Sequence, residues 1–596
     1  MERTSYPPLT GPWGSVLRHP LATVLLAATA SLALGFAPMP FWDEDEPRFA
    51  AIARTMLETG DWIVPIYNDT LAVDKPVLMH WCMAVCYRLF GVSEIPARLP
   101  AALATVATGL ALLHAGTRWF SPAAGVVAAL AWVGCLLVGI EAHAATPDAI
   151  LTALTTWITV LAAEPLVAAL NRSPASPLPP LSVGRAAGIG ALAGLAVLCK
   201  GPVGFVGPLA VVLPWATWLA WQVRRDPATS FGRQAIAGLR AACDATACVR
   251  PVVFGLAMLA VAAPWYIAVG VRTGGEWPAG FFFIHNIGRF AAPMENHSGG
   301  ILFHGLAMLV GFYPWSCFLP AAIGVAAWRV AGTGTAPEQR RSLGLVLFWM
   351  LVWVGTFSLA ATKLPNYVLP AYPAAALLMG ALAAELIGRD RLTHPRLLAA
   401  GLGWVAFGGI ATIATVLIAG QYGLAAAGPA ALVGLVPVIG AAACWWGARS
   451  GRLDPVMALV VTGLVYSSLA VGPAAARISV ANALPPLIAQ AHRHAGGRAR
   501  LATYGQNTPN VVYYAHGHVT EWKPGESAKA VEQLASGDDV VLLVTEEGYA
   551  DIEASLPAGT GIVGRSRPLF KDGDFLLVGT VAQPSPRQAA AGSTKR

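Results

Sequence analysis

Along most of the chain apolar residues come neither in alternation nor on one face, but in unbroken runs of about 20 residues. Such runs lie at about 20–38, 98–117, 121–140, 148–170, 186–199, 203–222, 251–271, 300–327, 343–361, 366–388, 398–420, 428–447 and 454–474. A helix that is apolar all round suits lipid, because its backbone is bonded within itself and no side chain needs water. The pattern predicts a mainly α, polytopic membrane protein with about 13 transmembrane helices over residues 1–475. Between the first two runs the period changes. In segment 39–97 it predicts helices at 46–58, with Pro47 in the first turn, and at 76–90, opened by Pro76. Val77, Trp81, Ala84, Val85 and Leu89 share one face of the second, which suits the membrane interface. Past residue 476 the runs shorten. "ARLATYG", "NVVYYAHG", "DDVVLLVTEE" and "FLLVGTVA" read as strands, and 483–494 and 526–536 as helices. These predict a small α/β soluble domain over 476–583. The tail 584–596, rich in Ser, Ala, Gln and basic residues, is expected to be disordered.

Composition agrees with a membrane location. Of 596 residues, 12% are charged, against about 25% in soluble proteins, and the mean hydropathy is +0.58. The formal charge of +7 is carried by short loops rather than by a basic face interleaved with aromatics, so no nucleic-acid partner is expected. Arg118, Arg172 and Arg185, the group from Arg224 to Arg250, Arg329, Arg340 and Arg341, Arg389 to Arg396, and Arg449 and Arg452 fall in every second loop. The positive-inside rule then puts the N-terminus inside. Segment 39–97, Glu141 to Asp148, Lys200, 272–299, Lys363 and everything after 476 fall outside. The first run lacks a cleavage site and reads as a retained span. The eight cysteines are scattered; Cys82 with Cys86 and Cys243 with Cys248 lack a second pair, so no zinc site is expected.

The outer loops hold the candidate chemistry. "FWDEDEPRFA" packs Asp43, Glu44, Asp45 and Glu46 before Arg48. One carboxylate would serve as a helix cap; four leave room for a base or a metal ligand, with Arg48 as counter-charge or phosphate binder. "VDKPVLMHW" sets Asp74 beside Lys75, either a surface ion pair or an anion grip at a helix start. Asp148 in "ATPDAIL" is a cap or a functional carboxylate at the membrane edge. Lys200 in "CKGPVG" either snorkels or binds an anionic head group. "FFFIHNIGRFAAPMENHSGG" supplies His285, Asn286, Arg289, Glu295 and His297, of which arginine is the preferred phosphate ligand. "ATKLPNYVLPAYP" supplies Lys363, Tyr367 and Tyr372. Cations and carboxylates gathered at helix–membrane junctions suggest a site that grips a lipid phosphate while an acid works beside it. A coupled transporter would place its charges within the spans.

The stretch "DEPRFAAIARTMLETGDWIVPIYND…DKPVLMHWCMAVCYRLFGVSEIPARLPAALA" resembles the first outer loop of GT-C fold membrane glycosyltransferases. The similarity is to the lipid A aminoarabinose (4-amino-4-deoxy-L-arabinose) transferases, and more distantly to the protein O-mannosyltransferases. "KGPVGFVGP", "HNIGRF", "GFYPWS" and "KLPNYVLPAYPA" follow in that family's order. The resemblance implies an inverting enzyme in the bacterial inner membrane that takes a sugar from a polyprenyl-phosphate donor on the periplasmic face. The acceptor would be lipid A-like or, as in the mannosyltransferases, a protein hydroxyl; a flippase without chemistry is the alternative of another class. Asp45 corresponds to the family's essential first-loop acid. Arg48, Lys75, Asp148 and Lys200 match its cavity residues, as do Arg289 and Tyr367, and Lys363 joins them as a further cation. A divalent metal is left open, with Asp74, Glu46 and His285 as its candidate ligands; no organic cofactor is expected. The chain departs from the family at Phe49 and Asp74, where Tyr and Glu are common.

Overall fold

The structure, a computed structural model, describes residues 12–42, 45–172, 178–224, 229–288, 299–332, 334–387, 395–421, 425–479, 484–505, 509–567 and 573–581. Among these, ten helices are long and apolar enough to cross a membrane, from Glu94–Trp119 to one that starts at Pro455. Pro122–Val133 and Leu136–Ala142, bent by 65° at the break between them, are together long and apolar enough for a broken span or a re-entrant loop. The remaining two apolar runs give shorter helices, Pro20–Gly35 and Leu319–Ala331. The run expected at 300–327 is broken, with one helix at Phe303–Gly311 and another from Leu319 on either side of Pro314. Lipid supplies no hydrophobic drive for helices to associate, so close packing relies on small residues. A side chain at Gly116 would meet the Gly125 backbone at 2.5 Å, and one at Gly380 the Ala124 carbonyl at 2.3 Å.

The loops expected inside gather at one end of the bundle. There Glu164 is ringed by His114, Arg118 and Arg185, and Arg329 pairs with Glu385. Phe231–Cys248, read from sequence as a plain basic loop, is an amphipathic helix. It buries Ala241, Ala245 and Cys248 and leaves Phe231, Ile236 and Leu239 exposed, a face suited to the membrane interface.

At the other end lies the long first loop, with helices Asp45–Thr59 and Leu78–Phe90 joined through a small hairpin, Ile66–Tyr67 (β1) and Thr70–Leu71 (β2). Asn68 (φ +48°) and Asp69 (φ +61°) make its turn, both types that tolerate the left-handed region. The C-terminal domain sits on this loop. Its strands are Arg500–Tyr504 (β3), Thr520–Trp522 (β4), Val540–Thr545 (β5), Thr560–Ser566 (β6) and Phe575–Thr580 (β7), ordered β4-β3-β5-β7-β6. The first three are parallel; β7 runs antiparallel to β5 and β6. Both faces of the central strands are apolar, as a covered sheet requires. Val540, Leu542 and Val544 face Ala530 and Leu534, while Val541 and Leu543 face the core shared with the bundle.

"NVVYYAHG", predicted as a strand, is the helix Pro509–Ala515. Pro509 opens it, and burial of Val511, Val512 and Tyr513 against the Asp45–Thr59 helix outweighs the local β preference of these residues. The tail 584–596 lies outside the described residues.

Candidate active site

Two cavities open at the loop-bearing end of the bundle. The first, of about 290 Å³, is lined by Asp74, Lys75, Asp148, Lys200, His285, Asn286 and Tyr367, over a floor that includes Phe281, Trp353 and Phe357. Lys200 is displayed at its rim by a local stop signal. Gly201 (φ +77°) ends the Val183–Lys200 helix, and Pro202 follows. A side chain at Gly201 would also fall 2.6 Å from the Phe281 ring. The Lys200 ammonium lies 2.5 Å from Asp148 Oδ1 and 5.1 Å from the Tyr367 ring centroid. Asp148 opens the helix Asp148–Arg172, is 5% exposed, and accepts a second bond from Asn366 Nδ2 at 3.3 Å.

Across this cavity, Asp74 pairs with Arg48 at 3.3 Å. Burial would raise the Asp74 carboxyl, but the charges of Lys75 and Arg48 beside it prevail and hold it below the usual carboxylate range. Arg48 also lies 5.0 Å from the Tyr67 ring centroid. Phe49 forms an apolar plate between Lys75, 5.8 Å from its centroid, and His80, packed edge-on. His80 is fully buried; burial, helped by Lys75 and Arg48 and opposed by Asp74, pushes its imidazole down to about 4, so it is neutral at pH 7.

The second cavity, of about 360 Å³, is lined by Asp45, Glu46, Arg98, Glu141, His143, Thr146 and Asn366. The two cavities meet at the Asp148–Asn366 hydrogen bond: Asp148 lines the first and Asn366 the second. Asp45 is exposed at the first turn of its helix. Its neighbour Glu46 is buried and saturated, accepting from Arg98 Nε and Nη2 at 2.9 Å each, Ala145 N at 2.7 Å and Trp42 N at 3.1 Å. Arg98, 2% exposed, also donates to the Met39 and Pro40 carbonyls. Arg98 and Glu141 were missed as sequence candidates. The signal for Arg98 was an arginine set just inside an apolar run, where a charge needs a partner.

Three expectations are corrected. Lys363 is no phosphate ligand: it is 4% exposed, and its ammonium donates to the carbonyls of Ser358, Ala360 and Phe357. It caps the end of the Pro337–Leu359 helix, whose last carbonyls lack intrahelical partners. Glu46 is not placed to bind a metal, because Arg98 occupies both its oxygens. Asp74 and His285 share the first cavity while Glu46 lines the second, and among the described residues no three His, Cys, Asp or Glu side chains converge. Among the described residues, Asp74, Glu46 and His285 therefore do not make up one divalent-metal ligand set. Arg289, Glu295, His297, Asp43 and Glu44 lie outside the described residues.

A bundle of membrane helices, a long looped first connection and a docked α/β domain, with paired cations and carboxylates at the junction, define a polytopic membrane protein of GT-C architecture. The crystal structure of ArnT from Cupriavidus metallidurans bound to undecaprenyl phosphate superposes with a TM-score of 0.73 over 96% of this chain and 98% of that one, at 21% identity; the apo form gives 0.74. In sequence, the chain is similar to undecaprenyl phosphate-α-4-amino-4-deoxy-L-arabinose arabinosyl transferases. It is 27% identical to that of Enterobacter sp. over 66% of this chain, and 29% identical to that of Pseudomonas fluorescens over 69%. The match spans 65% of the length of each of these relatives. Residues 74–231 match the dolichyl-phosphate-mannose-protein mannosyltransferase family.

Proposed function

We propose that the chain is an inverting glycosyltransferase of the bacterial inner membrane. It moves a sugar from a polyprenyl-phosphate donor to a lipid A-like acceptor on the periplasmic face, with its N-terminus in the cytoplasm. The observation that carries the reading is the first cavity, where Lys75 and Lys200 stand together over an apolar floor at the membrane edge. Such a pocket suits a phosphate head with an apolar tail. Relatives named for an undecaprenyl phosphate donor support it.

In this mechanism the donor phosphate lies against Lys75 and Lys200. Asp148 positions Lys200 and, bonded to Asn366, marks the junction where the donor's anomeric carbon would face the second cavity, which the acceptor enters past Asp45. The acceptor oxygen attacks the anomeric carbon as the bond from that carbon to the phosphate oxygen breaks, and the electron pair leaves with the polyprenyl phosphate. The two ammonium groups stabilise the charge that grows on the leaving phosphate. Asp45 takes the proton of a hydroxyl acceptor, or orients a phosphate acceptor that has none to lose. The match of residues 74–231 to the mannosyltransferase family favours a protein hydroxyl as the second reading of the acceptor.

Membranes from cells lacking the protein are expected to accumulate one polyprenyl-phosphate sugar and to lose the acceptor lipid modified with that sugar. Mass spectrometry of the lipid extract checks this. An unchanged set of polyprenyl-phosphate sugars would sink the reading.

A further inference from the structure

We propose that the C-terminal domain is a positioning element of the active site. This rests on the transfer reading above and extends it: the Tyr513–Tyr514 corner and the segment entering β4 hold the first outer loop so that Asp45 is presented to the second cavity and Arg48 to Asp74, which lines the first.

Three separate pieces of the loop are gripped. On the helix that carries Asp45, Arg54 is only 7% exposed. It donates to the carbonyls of Tyr513 at 2.7 Å and Val512 at 3.4 Å, with its guanidinium 5.1 Å from the Tyr513 ring centroid. Those carbonyls belong to the last turn of Pro509–Ala515, where acceptors are left over and a cation is favoured. The second piece is the exit of the first apolar helix. Phe41, wholly buried, packs edge-on against Tyr513 and donates its backbone N–H to Tyr514 Oη at 3.1 Å. Tyr514 in turn donates to Glu94 at 2.7 Å. Arg98 takes the Met39 and Pro40 carbonyls together with Glu46, so Met39, Pro40 and Glu46 are held by the bundle while Phe41 is held by Tyr514. The third piece is the β1–β2 turn. The Asn68 amide accepts from Val519 N–H at 3.0 Å and donates to its carbonyl at 2.8 Å, as a neighbouring strand residue would. Asp69 lies 2.8 Å from His518. Tyr67 of the same hairpin carries the Arg48 guanidinium. A domain that merely shielded the cavities would not need a buried arginine, a tyrosine clamp on the loop backbone and a loop asparagine paired to the domain's own backbone, all on a single loop.

The test is steady-state kinetics of the full chain in nanodiscs. It uses whichever donor of a panel of undecaprenyl-phosphate sugars the parent turns over fastest, with lipid A as acceptor. Tyr514→Phe keeps the ring and removes the hydroxyl; Asn68→Ser acts at the independent contact. Each is expected to lower kcat about ten- to a hundredfold through misplacement of Asp45 and Arg48. The donor KM should change less than kcat, because Lys75 lies on the clamped loop while Lys200 stands outside it on the Val183–Lys200 helix. Arg54→Lys should retain more of kcat than Arg54→Gln. Parental kcat in both Tyr514→Phe and Asn68→Ser, or a loss seen only in the donor KM, overturns the proposal. A parent that consumes no donor of the panel overturns the transfer reading itself.

Discussion

Asp45→Asn is expected to lower sugar transfer by about 10²–10⁴-fold, the loss that follows removal of a positioned general base, with donor binding close to parental. The substitution preserves shape at an exposed position on the first turn, so the fold is untouched. The adjacent acid provides the contrast. Glu46 is buried, and its oxygens satisfy Arg98, Ala145 N and Trp42 N; replacing it would damage the scaffold rather than the chemistry. Initial rates in nanodiscs, set beside titration of the variant with undecaprenyl phosphate, separate these roles. A rate near that of the parent would remove Asp45 from the mechanism.

The second large effect is at Lys200. Lys200→Ala leaves the Asp148 carboxylate buried, with Asn366 as its remaining side-chain partner. Removing one partner of a buried ion pair costs about 3–5 kcal/mol, and here the donor phosphate loses a cation as well. The double variant Lys200→Ala with Asp148→Asn removes the uncompensated charge. Its thermal unfolding midpoint should return most of the way to the parent, while transfer stays lost. Thermal unfolding and kinetics on the same preparations check both halves. Recovery of transfer along with stability would mean that Lys200 serves only to neutralise Asp148.

The bundle was legible because lipid imposes one simple requirement, a length of apolar sequence, and thirteen runs meet or approach it. What happens inside a run was not. The 65° break after Val133 falls in an apolar stretch marked by Gly134 alone, and a side chain there would meet the Leu464 backbone at 2.9 Å. That neighbour is more than three hundred residues away in sequence. The Pro509–Ala515 helix was misread for a similar reason, since its β-prone residues are committed to a contact with Asp45–Thr59.

Candidate residues were found as a class more easily than as individuals. Asp45 and Glu46 are adjacent acids, told apart by Arg98, 52 residues on. Lys200 and Lys363 are both lysines just beyond an apolar run. One faces Asp148 and the first cavity, and the other spends its hydrogens on three carbonyls at a helix end. Partners of this kind are set by tertiary packing, which local patterning does not encode.

The central claim is that a sugar changes carrier at this site. The most direct test is the purified protein in nanodiscs with an undecaprenyl-phosphate sugar and lipid A, followed by mass spectrometry and by NMR of the product's anomeric centre. One undecaprenyl phosphate is expected to be released for each sugar gained by the acceptor, with the anomeric configuration inverted. Donor that crosses the bilayer with its sugar intact, or a product of retained configuration, would contradict it.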